Sequence, residues 1–137
     1  MWGRNSMTER RRYEGSCHCG AVRFRLKTKP PRSVLRCNCS ICELEDFLHW
    51  IIPVSEFEVI QGSVTTYRFG TQVARHTFCS VCGIKPFYYP RSNPDGVSVN
   101  VRCVDGLDWR KLDVTLFNGV QWEQNAASIA HLSKESN

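Results

Sequence analysis

The sequence predicts a mainly β domain of small antiparallel sheets with a short C-terminal helix. Short runs in which apolar and polar residues alternate, Gly- and Pro-rich turns between them, and an amphipathic pattern only near the end of the chain all point that way. A chain of 137 residues, 42% hydrophobic and 23% charged, is long enough for one domain with its own core. No apolar run approaches the roughly 20 residues of a membrane span, and the amino terminus lacks an apolar secretion segment, so a cytoplasmic protein without a membrane partner is expected.

Residues 1–13 are polar, basic and aperiodic, and are expected as a flexible leader before a single domain over 14–137. In AVRFRLK, Val22, Phe24 and Leu26 alternate with Arg23, Arg25 and Lys27, the period of a half-buried strand. Lys29 to Ser33, with two prolines, breaks it. Val34 and Leu35 open a second strand into RCNCSIC, and Ile41 to Asp46 suits a short helical turn. HWIIPV and FEVIQG follow as strands, the first an edge or a bulge because Pro53 cannot donate to a ladder, the second ended by Gly62. TTYRF and VARHTF form an antiparallel pair around a turn at Gly70 and Thr71. Val97, Val99, Val101 and Cys103 share one parity, which should be a core face, while Ser98, Asn100 and Arg102 share the other. AASIAHLSKE suggests the short helix.

The eight cysteines hold the chemical information. A reducing compartment keeps thiols free, which favours metal ligation over disulfides. Cys17 and Cys19 lie in GSCHCG, Cys37, Cys39 and Cys42 in CNCSIC, and Cys79 and Cys82 in CSVCG. Thiolates two or three positions apart on a tight turn can face one ion about 2.3 Å away, with Gly20 and Gly83 allowing the turn. Cys17, Cys19, Cys79 and Cys82 together make a closed structural zinc site that would staple the sheets. Cys37, Cys39 and Cys42 leave a fourth position open, the pattern of a catalytic zinc. Against this stand a redox cluster, or a second structural zinc closed by His18, His49 or His76. Cys103 is read as a small buried hydrophobe. Arg75, Lys85, Arg91 and Arg102 are candidates to hold substrate carboxylates, and Trp50, Phe78, Phe87, Tyr88 and Tyr89 to line a pocket. The net charge of +5 is modest, and Arg10 to Arg12 show no groove-reading motif, which argues against a nucleic-acid partner.

GSCHCGAVRF, RCNCSIC, TTYRFGT, RHTFCSVCGIKPFYYPRSNPDG and VNVRCVDG, taken in this order, resemble the glutathione-dependent formaldehyde-activating enzyme family, which includes centromere protein V. The resemblance spans roughly Gly15 to Gly119. It implies a zinc-stapled β fold with two zinc ions per chain, a structural one on Cys17, Cys19, Cys79 and Cys82 and a catalytic one on Cys37, Cys39 and Cys42. It also implies a carbon-sulfur lyase that reversibly condenses glutathione, or a related thiol, with formaldehyde or another small aldehyde. The alternative it allows is a non-catalytic zinc-binding module for protein or nucleic-acid interaction. Nothing in the sequence sets the oligomeric state.

Overall fold

The computed structural model describes residues 9–31 and 33–134. Ten strands, β1 Arg11–Ser16, β2 Arg23–Thr28, β3 Ser33–Cys37, β4 Leu48–Pro53, β5 Phe57–Gln61, β6 Val64–Tyr67, β7 His76–Cys79, β8 Phe87–Tyr88, β9 Gly96–Asn100 and β10 Asp113–Phe117, lie among the described residues. The helical turn α1, Cys42–Glu45, joins β3 to β4, and α2, Trp122–Asn125, follows β10. The strands form a three-stranded sheet β1-β2-β5, a five-stranded sheet β10-β3-β4-β9-β8 and the hairpin β6-β7. Among the described residues no helix is long and apolar enough to cross a membrane.

The alternating set expected around β2, Val22, Phe24 and Leu26, is buried, and Thr28 extends it. Its partner β1 begins at Arg11, so residues 11–13, read as leader, pair with Thr28, Lys27 and Leu26. Tyr13 accounts for this, since its ring packs edge-on against Trp50 at 5.1 Å, an anchor the aperiodic sequence around it does not advertise. Residues 1–8 of the expected leader lie outside the described residues.

Every residue of β4 is buried, because β4 is an interior strand flanked by β3 and β9. This corrects the expectation of an edge. Pro53 is tolerated because β3 pairs only with Leu48 and His49, leaving the proline beyond its end, opposite Gly96 of β9. The pleat then sorts side chains to opposite faces. Leu48, Trp50 and Ile52 enter the main core with Val34, Phe87, Val97 and Val99. Ile51 faces the other way, into a second cluster with Cys37, Cys42, Phe117 and Ile129. Ser98, expected on a polar outer face, is fully buried because β9 too is covered on both sides. Val101 is buried, but the strand ends at Asn100 and continues as a 3-10 turn, leaving Cys103 half-buried with its thiol pushed up to about 12 by burial.

The sheets are antiparallel with one exception, β10, which runs parallel to β3 at the sheet edge, Phe117 opposite Cys37. The short helix expected at the carboxyl end is present: it begins with α2 and continues as a 3-10 run over Ala126–Ser133. The amide of Asn93 donates to the carbonyls of Ile129 (3.0 Å) and Ala130 (3.2 Å), acceptors an α-helix would have offered four residues on. Residue 135 lies outside the described residues.

Phe24 is fully buried between the rings of Phe57 and Phe87. Phe24→Ala is expected to cost about 3–5 kcal/mol in urea unfolding, while Leu44→Ala, at a side chain 88% exposed, should change stability by no more than about 0.5 kcal/mol.

Candidate metal centres and cavity

The two cysteine groups expected from spacing are brought together in space. The sulfur atoms of Cys17, Cys19, Cys79 and Cys82 lie within 4.8 Å of one another, and so do those of Cys37, Cys39 and Cys42. In the first group Cys19 Sγ stands 3.6 Å from both Cys17 Sγ and Cys79 Sγ. Four ligands about 2.3 Å from a tetrahedral zinc stand about 3.8 Å apart, so this donor set fits that ion. Gly20 and Gly83 both take positive φ (82° and 80°), which lets each turn curl around its sulfurs. Backbone N–H groups point at them: Val22 donates to Cys17 (3.3 Å), and Val81 and Cys82 donate to Cys79 (3.3 and 3.4 Å). Donors aimed at sulfur stabilise the thiolate form that a metal requires.

The second group is assembled where β3 ends and α1 begins. Its sulfurs crowd one another, so the Cys39 thiol, hydrogen-bonded by Cys37 and then by Cys42, is held down to about 2, while those same contacts push Cys42 far up. Gly119 is required beside them, since a Cβ there would overlap Cys37 Sγ and press on Cys39. Among the described residues no histidine nitrogen joins this group.

The trio borders a cavity of about 650 Å³, whose other walls include His49, Phe69, His76, Tyr88, Phe117 and Trp122. That volume suits a small-molecule ligand. Adjacent strands of the large sheet deliver its polar floor: His49 Nδ1 lies 3.0 Å from Ser98 Oγ and 3.3 Å from the Tyr88 hydroxyl. Burial, then the charge of Lys85, holds His49 down to about 3 and His76 down to about 4. Burial also pushes the Tyr88 hydroxyl well up, followed by the charge of the neighbouring thiols.

The expected substrate-binding residues divide. Arg91 lines the cavity, its guanidinium 3.5 Å from the centre of the Trp122 ring and hydrogen-bonded to Thr71 Oγ1 (3.2 Å) and Glu123 (2.7 Å). Arg75 stacks on Tyr89, and Arg102 pairs with Asp46, both away from the cavity. Lys85 is buried and bonds Glu45 and His76. Of the expected aromatics only Tyr88 lines this cavity; Trp50 and Phe87 belong to the core. Phe69, Gly119 and Trp122 were missed, because they come from loops and from the segment after β10, which shows no clear period in the sequence.

Residues 12–119 match the family described as glutathione-dependent formaldehyde-activating enzyme. Over 29 residues the chain is 66% identical to a Halomonas elongata protein provisionally named a glutathione-dependent formaldehyde-activating enzyme, a match covering 21% of this chain and 18% of that relative's length. A crystal structure of a Rhodobacter sphaeroides protein from a structural genomics programme is similar in fold, with a TM-score of 0.68 and 34% identity. The likeness covers 74% of this chain and 99% of that one.

Gly119→Ala is expected to lower metal content at the trio while leaving the four-cysteine group loaded, read as metal ions per chain by native mass spectrometry. The buried histidines make a second prediction. Their unfolded forms take up protons near pH 6.5 while the folded forms resist until pH 3 to 4, so stability is full above 6.5 and falls as pH drops. Each should contribute a loss of about 1 kcal/mol between pH 7 and 5.5 in urea unfolding, and His49→Gln should remove its share of that slope.

Proposed function

The chain belongs to the glutathione-dependent formaldehyde-activating enzyme family, and on that premise we propose that it condenses glutathione, or a related thiol, reversibly with formaldehyde or another small aldehyde, a carbon-sulfur lyase activity. The observation that carries the reading is the trio Cys37, Cys39 and Cys42, three sulfurs facing a cavity of about 650 Å³ with no fourth side-chain donor in their group among the described residues. Cys17, Cys19, Cys79 and Cys82 take the structural role in this reading, which is supported by four sulfurs within 4.8 Å of one another, enough to complete a zinc shell without a further ligand. All eight cysteines are free, which suits a reducing cytoplasm.

A zinc ion held by the trio would supply a Lewis acid with a fourth position for a thiolate or an aldehyde oxygen. The chain's own residues do the rest. Ile51, Phe69, Phe117 and Trp122 give the cavity apolar walls against which a bound thiol and aldehyde would displace water. Arg91 is the residue to hold a glutathione carboxylate: Glu123, 78% exposed, occupies the guanidinium and can yield it to an incoming anion. In the reaction the thiol S–H bond breaks, the carbon–sulfur bond forms, and the aldehyde oxygen takes the proton. No atom is left over.

The test is the initial rate of S-hydroxymethyl adduct formation above the spontaneous background, followed by NMR. Cys39→Ser, folded and retaining the ion of the four-cysteine group, is expected to fall to the background rate. A variant as fast as the parent would overturn the assignment of the trio. Arg91→Met should raise the KM for glutathione by about tenfold or more with little change in kcat.

A further inference from the structure

Behind the cavity lies a line of polar groups, buried at Lys85 and His76 and reaching the surface at Glu45, that the reading above does not use. The Lys85 side chain is 6% exposed, and its ammonium donates to Glu45 Oε1 (2.9 Å) and to His76 Nδ1 (2.6 Å). His76 is itself 5% exposed. The Tyr88 ring stacks on its imidazole at 4.8 Å and 11°, and Phe69 lies against it at 5.4 Å. Of the chain Glu45, Lys85 and His76, only His76 borders the cavity.

This arrangement dictates where the imidazole proton sits. An ammonium has donors and no acceptor, so Nδ1 must be the acceptor and the ring proton must be on Nε2. Because burial and the Lys85 charge disfavour a second proton, the ring is neutral near pH 7. With Nδ1 engaged by Lys85, which does not line the cavity, Nε2 is the ring nitrogen left for a ligand in it. His49 offers no such group: Ser98 and Tyr88 share its Nδ1, hydroxyls that can donate or accept, and its Nε2 is sealed in without a partner among the described residues.

We propose that His76 is a catalytic residue of the thiol–aldehyde reaction, its Nε2–H hydrogen-bonding the aldehyde oxygen as charge builds there, and that Lys85 is the positioning residue that fixes this tautomer. The inference rests on the function proposed above. As a sulfur electron pair forms the carbon–sulfur bond, the C=O π pair moves to oxygen and the proton lost by the thiol ends on that oxygen. His76 keeps its own proton throughout. A neutral donor bound from behind to a fixed cation is pre-set for a developing alkoxide and need not reorganise during the reaction.

The experiment pairs spectroscopy with kinetics on the zinc-loaded protein. In protein labelled with 15N-histidine, the His76 resonances at neutral pH are expected to show the Nε2–H tautomer, and in Lys85→Met a shift towards Nδ1–H. His76→Leu should lower kcat about 100-fold with the KM for glutathione within about twofold of the parent, and His76→Gln, which restores an N–H donor, should recover much of the loss. An Nδ1–H tautomer in the parent, or parental kcat in a folded His76→Leu, would overturn the proposal. The tautomer measurement decides the matter even if His76→Leu does not fold. A parent that never exceeds the spontaneous rate would instead overturn the proposed function, and this inference with it.

Discussion

Burial of β4 on both faces is the constraint from which the rest of the architecture follows. A strand with one wet face would have left Leu48, Trp50 and Ile52 in a core and His49 and Ile51 in solvent. Flanked by β3 and β9 and packed on both sides, β4 instead separates two apolar clusters. One is the core that holds the sheets together. The other is the wall of the cavity. The same pleat in β8 and β9 sends Phe87 and Val99 to the first and places Tyr88 and Ser98 beside His49. The polar floor is therefore set by strand register, and a slip of one residue would exchange it for core side chains.

Keeping ionisable groups dry is costly, and the molecule offsets the cost by pairing or neutralising each of them. Lys85 has Glu45. His49 and His76 stay neutral. In the trio, contacts among the sulfurs hold the Cys39 thiol down and push Cys42 up. Asp46, which ends α1 in a left-handed conformation, ties Arg36 and Arg102 together at the surface and so fixes the turn that carries Cys42. Exposed pairs of this kind contribute little stability singly, but two arginines on one carboxylate hold a loop in one geometry.

Much of this was legible in the residues. Alternation located β2, cysteine spacing anticipated both sulfur groups, and the paired turns of Gly20 and Gly83 were visible as glycines following CxC and CxxC. What was not legible depends on neighbours distant in sequence. Pro53 reads as an edge signal, and only the short reach of β3 along β4 makes an interior position possible. Ser98 reads as polar and outward until β9 is seen to be covered on both faces. Lys85 looks like a surface cation in the string GIKPFYY, and only Glu45, forty residues earlier, explains its burial. The C-terminal helix is tied down by one amide, Asn93, a contact that no local propensity could reveal.

The parallel placement of β10 beside β3 separates the two sulfur groups in time as well as in space. A chain emerging from the ribosome has all four sulfurs of the first group available once residue 82 is out. The trio, although its cysteines are made earlier than Cys79, waits for Phe117, Gly119 and Trp122 before its cavity has walls. The walls that complete the cavity around Cys37, Cys39 and Cys42 are thus the part of it made last.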